Sequence, residues 1–131
     1  MQYISTRGEA PELAFDDVLL AGLAADGGLY VPKTYPSVAR HDIAALAGLP
    51  YDEAAARLIE PFASEIGGGV LREATRAAYA GFSHPAVTPL VQIADNLFVL
   101  ELFRGPTLAF KDLAMQLLGR LMNHVLEQRG L

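Results

Sequence analysis

The residues Leu97-Phe98-Val99-Leu100-Glu101-Leu102, then Phe103-Arg104-Gly105-Pro106, then Thr107-Leu108-Ala109-Phe110-Lys111-Asp112 decide how this chain is read. Six residues rich in β-formers run into a Gly-Pro turn, and the apolar spacing then changes from strand-like to helical. A long helix is expected from about Leu108 to Glu127. Its apolar stripe is Phe110, Leu113, Ala114, Leu117, Leu118, Leu121, Met122 and Val125, and its polar stripe is Asp112, Gln116, Arg120, Asn123 and Glu127. Both stripes repeat at three or four residues, as an amphipathic helix requires. A second β-rich run, Leu90 to Ile93, precedes the first, with Asp95-Asn96 as the turn between them. In a parallel α/β fold the element after such a helix is another strand, so residues from about 84 read as the opening of an α/β domain.

Upstream of His84-Pro85 the pattern is mostly helical. Tyr3-Ile4-Ser5 and Leu29-Tyr30-Val31 read as short strands, the second ended by Pro32. A helix is expected from about Phe15 to Ala24, with Phe15, Val18, Leu19 and Leu23 on its inner face and Asp16 and Asp17 favourable in its first turn. A short helix over Asp42–Leu46 would be capped by Asp42. Another over about Asp52 to Glu60 would turn Ala54, Leu58 and Ile59 inward and stop at Pro61. Gly67-Gly68-Gly69 reads as a linker, followed by a helix over about Val70 to Tyr79 that buries Leu71, Ala74 and Ala78. The division expected is therefore a domain over 1–83 and the start of a second over 84–131.

Composition narrows the function. Hydrophobic residues make up 52% and charged residues 19% of the 131, with a net charge of −5. That is the profile of a packed chain rather than a disordered one. The basic residues are scattered, so nucleic-acid binding is not expected. Without cysteine there are no disulfides and no thiolate metal sites. Met1 to Ala10 lacks the layout of a signal peptide, and no stretch approaches the roughly 20 apolar residues that cross a bilayer. A cytoplasmic protein with no membrane partner is the expectation.

Two lysines, Lys33 and Lys111, stand against eight arginines. A lysine kept where arginine is preferred is a candidate nucleophile, because an amine can lose its proton and a guanidinium cannot. Lys111 falls at the start of the long helix, where Thr107 would be the N-cap. The positive helix terminus opposes the ammonium there and Asp112 favours it, so the balance has no sign from sequence. A solvated surface lysine is the competing reading of Lys111. Glu101 and Asp112 could form a carboxylate pair, although nothing in the spacing requires one. Arg7 reads as a structural ion pair, and His41, His84 and His124 lack ligand spacing, so no metal site is expected.

The segment Leu102 to Asp112 closely resembles the lysine motif of threonine synthases. Tyr3-Ile4-Ser5-Thr6-Arg7-Gly8, Asp26-Gly27-Gly28-Leu29-Tyr30-Val31-Pro32, His84-Pro85-Ala86-Val87 and Asn96 to Glu101 are similar to further landmarks of that family, in family order. The resemblance implies a fold type II pyridoxal-phosphate enzyme: an α+β N-terminal domain over 1–83, then the start of an α/β cofactor domain over 84–131, incomplete in the residues given. It implies pyridoxal 5'-phosphate as cofactor, held by Lys111 as a Schiff base. Lys111 would then serve as acid and base while O-phospho-L-homoserine and water become L-threonine and phosphate. Phe110 is expected beside the cofactor, and Thr107 and Asp112 as support for the start of the helix. Arg104 replaces the histidine usual in the family, and as a good phosphate partner it is expected to contact substrate. The family's Ser/Asn/Thr-rich loop near the pyridine ring and its Gly-rich phosphate loop do not occur in these residues. The fragment alone is therefore expected to be inactive and to self-associate through exposed apolar surface. Two other readings stay open at this point: another fold type II enzyme, such as a threonine dehydratase or a cysteine synthase relative, and a non-catalytic binding module derived from the enzyme.

Overall fold

A computed structural model describes all residues, Met1 to Leu131. The chain forms a small antiparallel sheet, a group of helices and a separate hairpin. The sheet contains β1 (Gln2–Ser5), β2 (Leu13–Ala14) and β3 (Tyr30–Pro32) in the order β2-β1-β3. Tyr3 lies opposite Leu13 on one side and Pro32 on the other. Two residues are too few for a strand pattern, so β2 is defined only by its pairing with β1.

The helices are α1 (Phe15–Ala21), α2 (Arg40–Ala44), α3 (Tyr51–Ile59), α4 (Gly68–Tyr79) and α5 (Asp112–Gln128). Three of them make the core. Leu71, Ala74 and Ala78 of α4 meet Ala56 of α3 and Leu117, Leu121 and Val125 of α5, with Ala63 and Ile66 from the turn between α3 and α4. The intervals of three and four residues put each set on one helix face. Phe15, Leu19 and Leu20 of α1 pack against the same cluster. The stripe of α5 thus docks on the N-terminal helices, and one core runs through both parts of the chain.

Several boundaries differ from the sequence expectation. Gly22 takes φ 68°, which ends α1 before Leu23 and leaves Leu23 63% exposed. Leu58 is also exposed and lines a cleft with Val38 and Leu46, while Ala56 fills the inward position of α3. Asp42 is the third residue of α2 rather than its cap, and its carboxylate accepts a hydrogen bond from the Ala39 N–H at 3.2 Å. The glycine triplet is not a linker. Gly67 turns the chain at φ 81°, and Gly68 and Gly69 already belong to α4.

Two turns precede α5, with Leu108 at φ 62°, so the helix begins at Asp112 and not at Leu108. Phe110 therefore lies outside the stripe and is 64% exposed, Ala114 is exposed, and Asp112 is buried. Strands β4 (Leu90–Ala94) and β5 (Leu97–Leu100) form an antiparallel hairpin, Val91 opposite Val99, with Asn96 at φ 55° in its turn. Every residue of both strands is exposed.

Asp26 knits the N-terminal turns together. Its carboxylate accepts hydrogen bonds from Ser5 Oγ at 2.7 Å and from the amides of Gly28, Glu9 and Ala10 at 2.9, 3.0 and 3.0 Å. Arg7 Nη1 donates to the Asp26 carbonyl and forms no ion pair, contrary to its sequence reading. Partial removal from water, the largest single influence, would raise the Asp26 carboxyl. The four hydrogen bonds outweigh it and hold the group below its ordinary value. A carboxyl lowered in the folded state contributes stability at and above its unfolded titration range and loses that contribution as pH falls through the folded value. Asp26→Ala is therefore expected to lower Tm at pH 7, with the gap to the parent narrowing in acid. Thermal melts of both proteins from pH 7 to pH 3 check this, and a gap that does not depend on pH would contradict it.

Candidate active site

The two lysines have different surroundings. Lys33 Nζ is tied to both oxygens of Glu12, at 2.6 and 2.9 Å. Lys111 is exposed, and no carboxylate lies within 4 Å of its amine; every ion pair in the structure involves other residues. Lys111 is the N-cap of α5, at φ −62° and ψ −21°, and its carbonyl accepts the first helical hydrogen bonds, from Ala114 and Met115.

Asp112, next in the chain, turns away from the amine. Its Oδ2 accepts from the Thr107 N–H and its Oδ1 from the Thr107 hydroxyl, both at 2.8 Å. Thr107 is thus not the helix cap; its hydroxyl donates to a carboxylate rather than accepting from a backbone amide. Gly105 sits directly against Asp112, and a methyl added there would lie 2.4 Å from Asp112 Cβ. In the sequence Gly105 is legible only as a turn residue, and nothing there signals its contact with a side chain seven residues on.

Glu101 and Asp112 do not form a carboxylate pair. Glu101 instead binds Arg104, whose Nε donates to Glu101 Oε2 at 2.7 Å, and Nη2 reaches the same oxygen. The guanidinium also lies 5.3 Å from the Phe103 ring centroid. Arg104 Nη1 keeps no protein acceptor. The backbone is tied as well, with the Ser83 N–H donating to the Arg104 carbonyl at 2.8 Å.

Tyr79, which the sequence reading placed only at the end of a helix, holds the start of α5 from below. Its hydroxyl donates to the Leu113 carbonyl at 3.3 Å, and its ring packs edge-on against Tyr51 and Phe82. Burial, with a smaller contribution from the Tyr51 phenol, pushes the Tyr79 hydroxyl up to about 12, so it keeps its proton and this bond throughout the neutral range.

None of the surface clefts includes Lys111. One cleft is lined by Tyr51, Asp52, Arg76, Tyr79, Phe82 and His84. Leu108 and Phe110, close to Lys111 in the chain, are exposed, as are Phe103 and the β4–β5 hairpin. A free amine, two uncommitted apolar side chains next to it and a neighbouring carboxylate already engaged by Thr107 fit a flat cofactor that carries an aldehyde. No phosphate cradle for such a group accompanies them.

A family model described as the threonine synthase N terminus matches residues 2–79. The threonine synthase of Pseudomonas aeruginosa is 56% identical over 131 residues, covering 99% of this chain and 28% of that protein. The threonine synthase of Methylobacillus glycogenes is 42% identical, covering 99% of this chain and 29% of that protein. Among solved structures, a PLP-bound threonine synthase from Brucella melitensis superposes with a TM-score of 0.96 at 57% identity, over 99% of this chain and 28% of that one. The yeast threonine synthase gives a TM-score of 0.90 at 35% identity, over 98% and 27%. The chain therefore spans a little over a quarter of the length of these proteins.

Proposed function

The chain belongs to the threonine synthase family, and from that premise we propose that it is the N-terminal part of an enzyme making L-threonine and phosphate from O-phospho-L-homoserine and water. The free Lys111 amine, set against the engaged Lys33, is the observation that carries the reading. Lys111 would hold pyridoxal 5'-phosphate covalently, and Phe110 would pack beside its ring. When bound, that cofactor supplies a sink for the electrons released when protons leave the substrate. The Lys111 amine, at the start of a helix, would take up and return those protons.

Arg104 would bind the substrate phosphate through Nη1, with Glu101 fixing the guanidinium plane and offsetting its charge. Thr107 and Asp112 would support the loop. Residues 1–83 would be the N-terminal domain and 84–131 the beginning of the cofactor domain, a division supported by the change from helices to a hairpin, although α5 shares the N-terminal core. The cytoplasm is the proposed compartment; no helix is long and apolar enough to cross a membrane.

The full-length enzyme is expected to release phosphate from O-phosphohomoserine with threonine in equal amount, and to have little activity on threonine or O-acetylserine as sole substrate. A coupled phosphate assay with chromatographic quantitation of threonine checks this. Formation of 2-oxobutanoate from threonine at a comparable rate would favour a dehydratase instead.

A further inference from the structure

We propose that Asp112 is the positioning residue for Lys111, and that it acts through Thr107 and depends on glycine at 105. This deepens the preceding section and rests on its reading of Lys111 as the cofactor anchor. Asp112 is only 4% exposed, yet both carboxylate oxygens are satisfied, one by the Thr107 N–H and one by the Thr107 hydroxyl. The two bonds close a loop whose inner residues are Leu108, Ala109, Phe110 and Lys111. Charge-assisted bonds of this kind are stronger and more directional than neutral ones.

The carboxylate fits only because residue 105 has no side chain; a methyl there would come within 2.5 Å of Asp112 Oδ2. Inside the loop Leu108 holds φ 62°, a conformation that persists only where the surroundings impose it. Lys111 is the last residue of the loop, and its backbone is fixed on one side by the clamp and on the other by the first turn of α5. Tyr79 secures that turn at the Leu113 carbonyl. The direction of the Lys111 side chain from the backbone is thus set within this chain, before any cofactor is present. The clamp also occupies the carboxylate next to the amine, so Asp112 does not become its counter-ion.

The test uses the full-length enzyme with Asp112→Asn, Thr107→Val and Thr107→Ser. Asparagine keeps the shape but removes the charge that strengthens both bonds and forces the Thr107 hydroxyl from donor to acceptor, valine removes only the hydroxyl, and serine keeps it. A displacement of about 1 Å can cost on the order of a hundredfold in rate. D112N and T107V are therefore expected to lose about tenfold or more in kcat, with KM for O-phosphohomoserine within about threefold. The absorbance of the lysine-bound cofactor should shift or weaken, borohydride labelling of Lys111 should fall, and T107S should behave as the parent. Loss of stability alone would change none of these spectral readouts in the folded fraction. Thr107 is exposed, so T107V carries the test if D112N does not fold. Parental kcat, absorbance and labelling in T107V would overturn the proposal while leaving Lys111 as anchor. Parental enzyme labelled at another residue would overturn the anchor and the clamp together.

Discussion

Lys111→Arg is expected to abolish turnover in the full-length enzyme while leaving its fold intact. Arginine keeps the charge and approximate length but stays protonated, so it can neither attach to an aldehyde nor carry protons. Loss of positioned proton transfer alone is worth about 10²–10⁴ in rate, and loss of the covalent anchor adds to it, so a fall of roughly a thousandfold or more is predicted. Stability should hardly respond. Lys111 is exposed with no ion-pair partner, and a surface change of that kind costs within about 0.5 kcal/mol. Phosphate release and Tm measured on the same sample separate the two effects. Turnover within tenfold of the parent would remove Lys111 from the chemistry.

The 131-residue chain alone is expected to fold but to bind pyridoxal phosphate weakly and to make no threonine. Its core is complete enough to hold α5, because Leu117, Leu121 and Val125 are already buried against α4. The hairpin is not covered: Leu90, Ile93, Leu97, Phe98 and Leu100 each have at least half their surface exposed. A lone two-stranded ribbon is marginal, and apolar surface of this extent favours self-association, so oligomers are expected on gel filtration. The amine of Lys111 can react reversibly with free pyridoxal phosphate, but the phosphate would lack a cradle of N–H donors. Such charge-assisted bonds contribute roughly 1.5–3 kcal/mol each. Without two or three of them affinity falls on the order of a thousandfold, at about 1.4 kcal/mol per factor of ten. Absorbance titration with the cofactor, followed by gel filtration, measures this. Stoichiometric retention through the column, or turnover above a Lys111→Ala control, would show that the chain holds more of the site than its residues indicate.

The parts of the fold legible in the sequence were those fixed by periodic burial. The spacing of Leu71, Ala74 and Ala78 gave α4, that of Leu117, Leu121 and Val125 gave most of α5, and Asp95-Asn96 gave the hairpin turn. Illegible features were set by contacts between distant residues or by rare backbone conformations. β2 exists through pairing alone. α5 starts four residues later than its apolar spacing predicts, because Leu108, apolar and in phase with the helix, occupies a positive φ that only its surroundings impose. Asp112 looked like a solvent-facing residue because polarity says nothing about the Thr107 bonds that make its burial tolerable. Of the candidate site, Lys111, Thr107 and Asp112 are legible from local chemistry and from the motif, but their connections appear only in three dimensions: carboxylate to Thr107, guanidinium of Arg104 to Glu101, and an amine left free.

The most direct test of this account is borohydride reduction of the full-length enzyme with its cofactor, followed by proteolysis and peptide mass mapping. The reduced pyridoxyl group should be found on Lys111, in nearly stoichiometric yield, with Lys33 unmodified. Label on Lys33 or on any other residue, with Lys111 unmodified, would contradict the account at its centre.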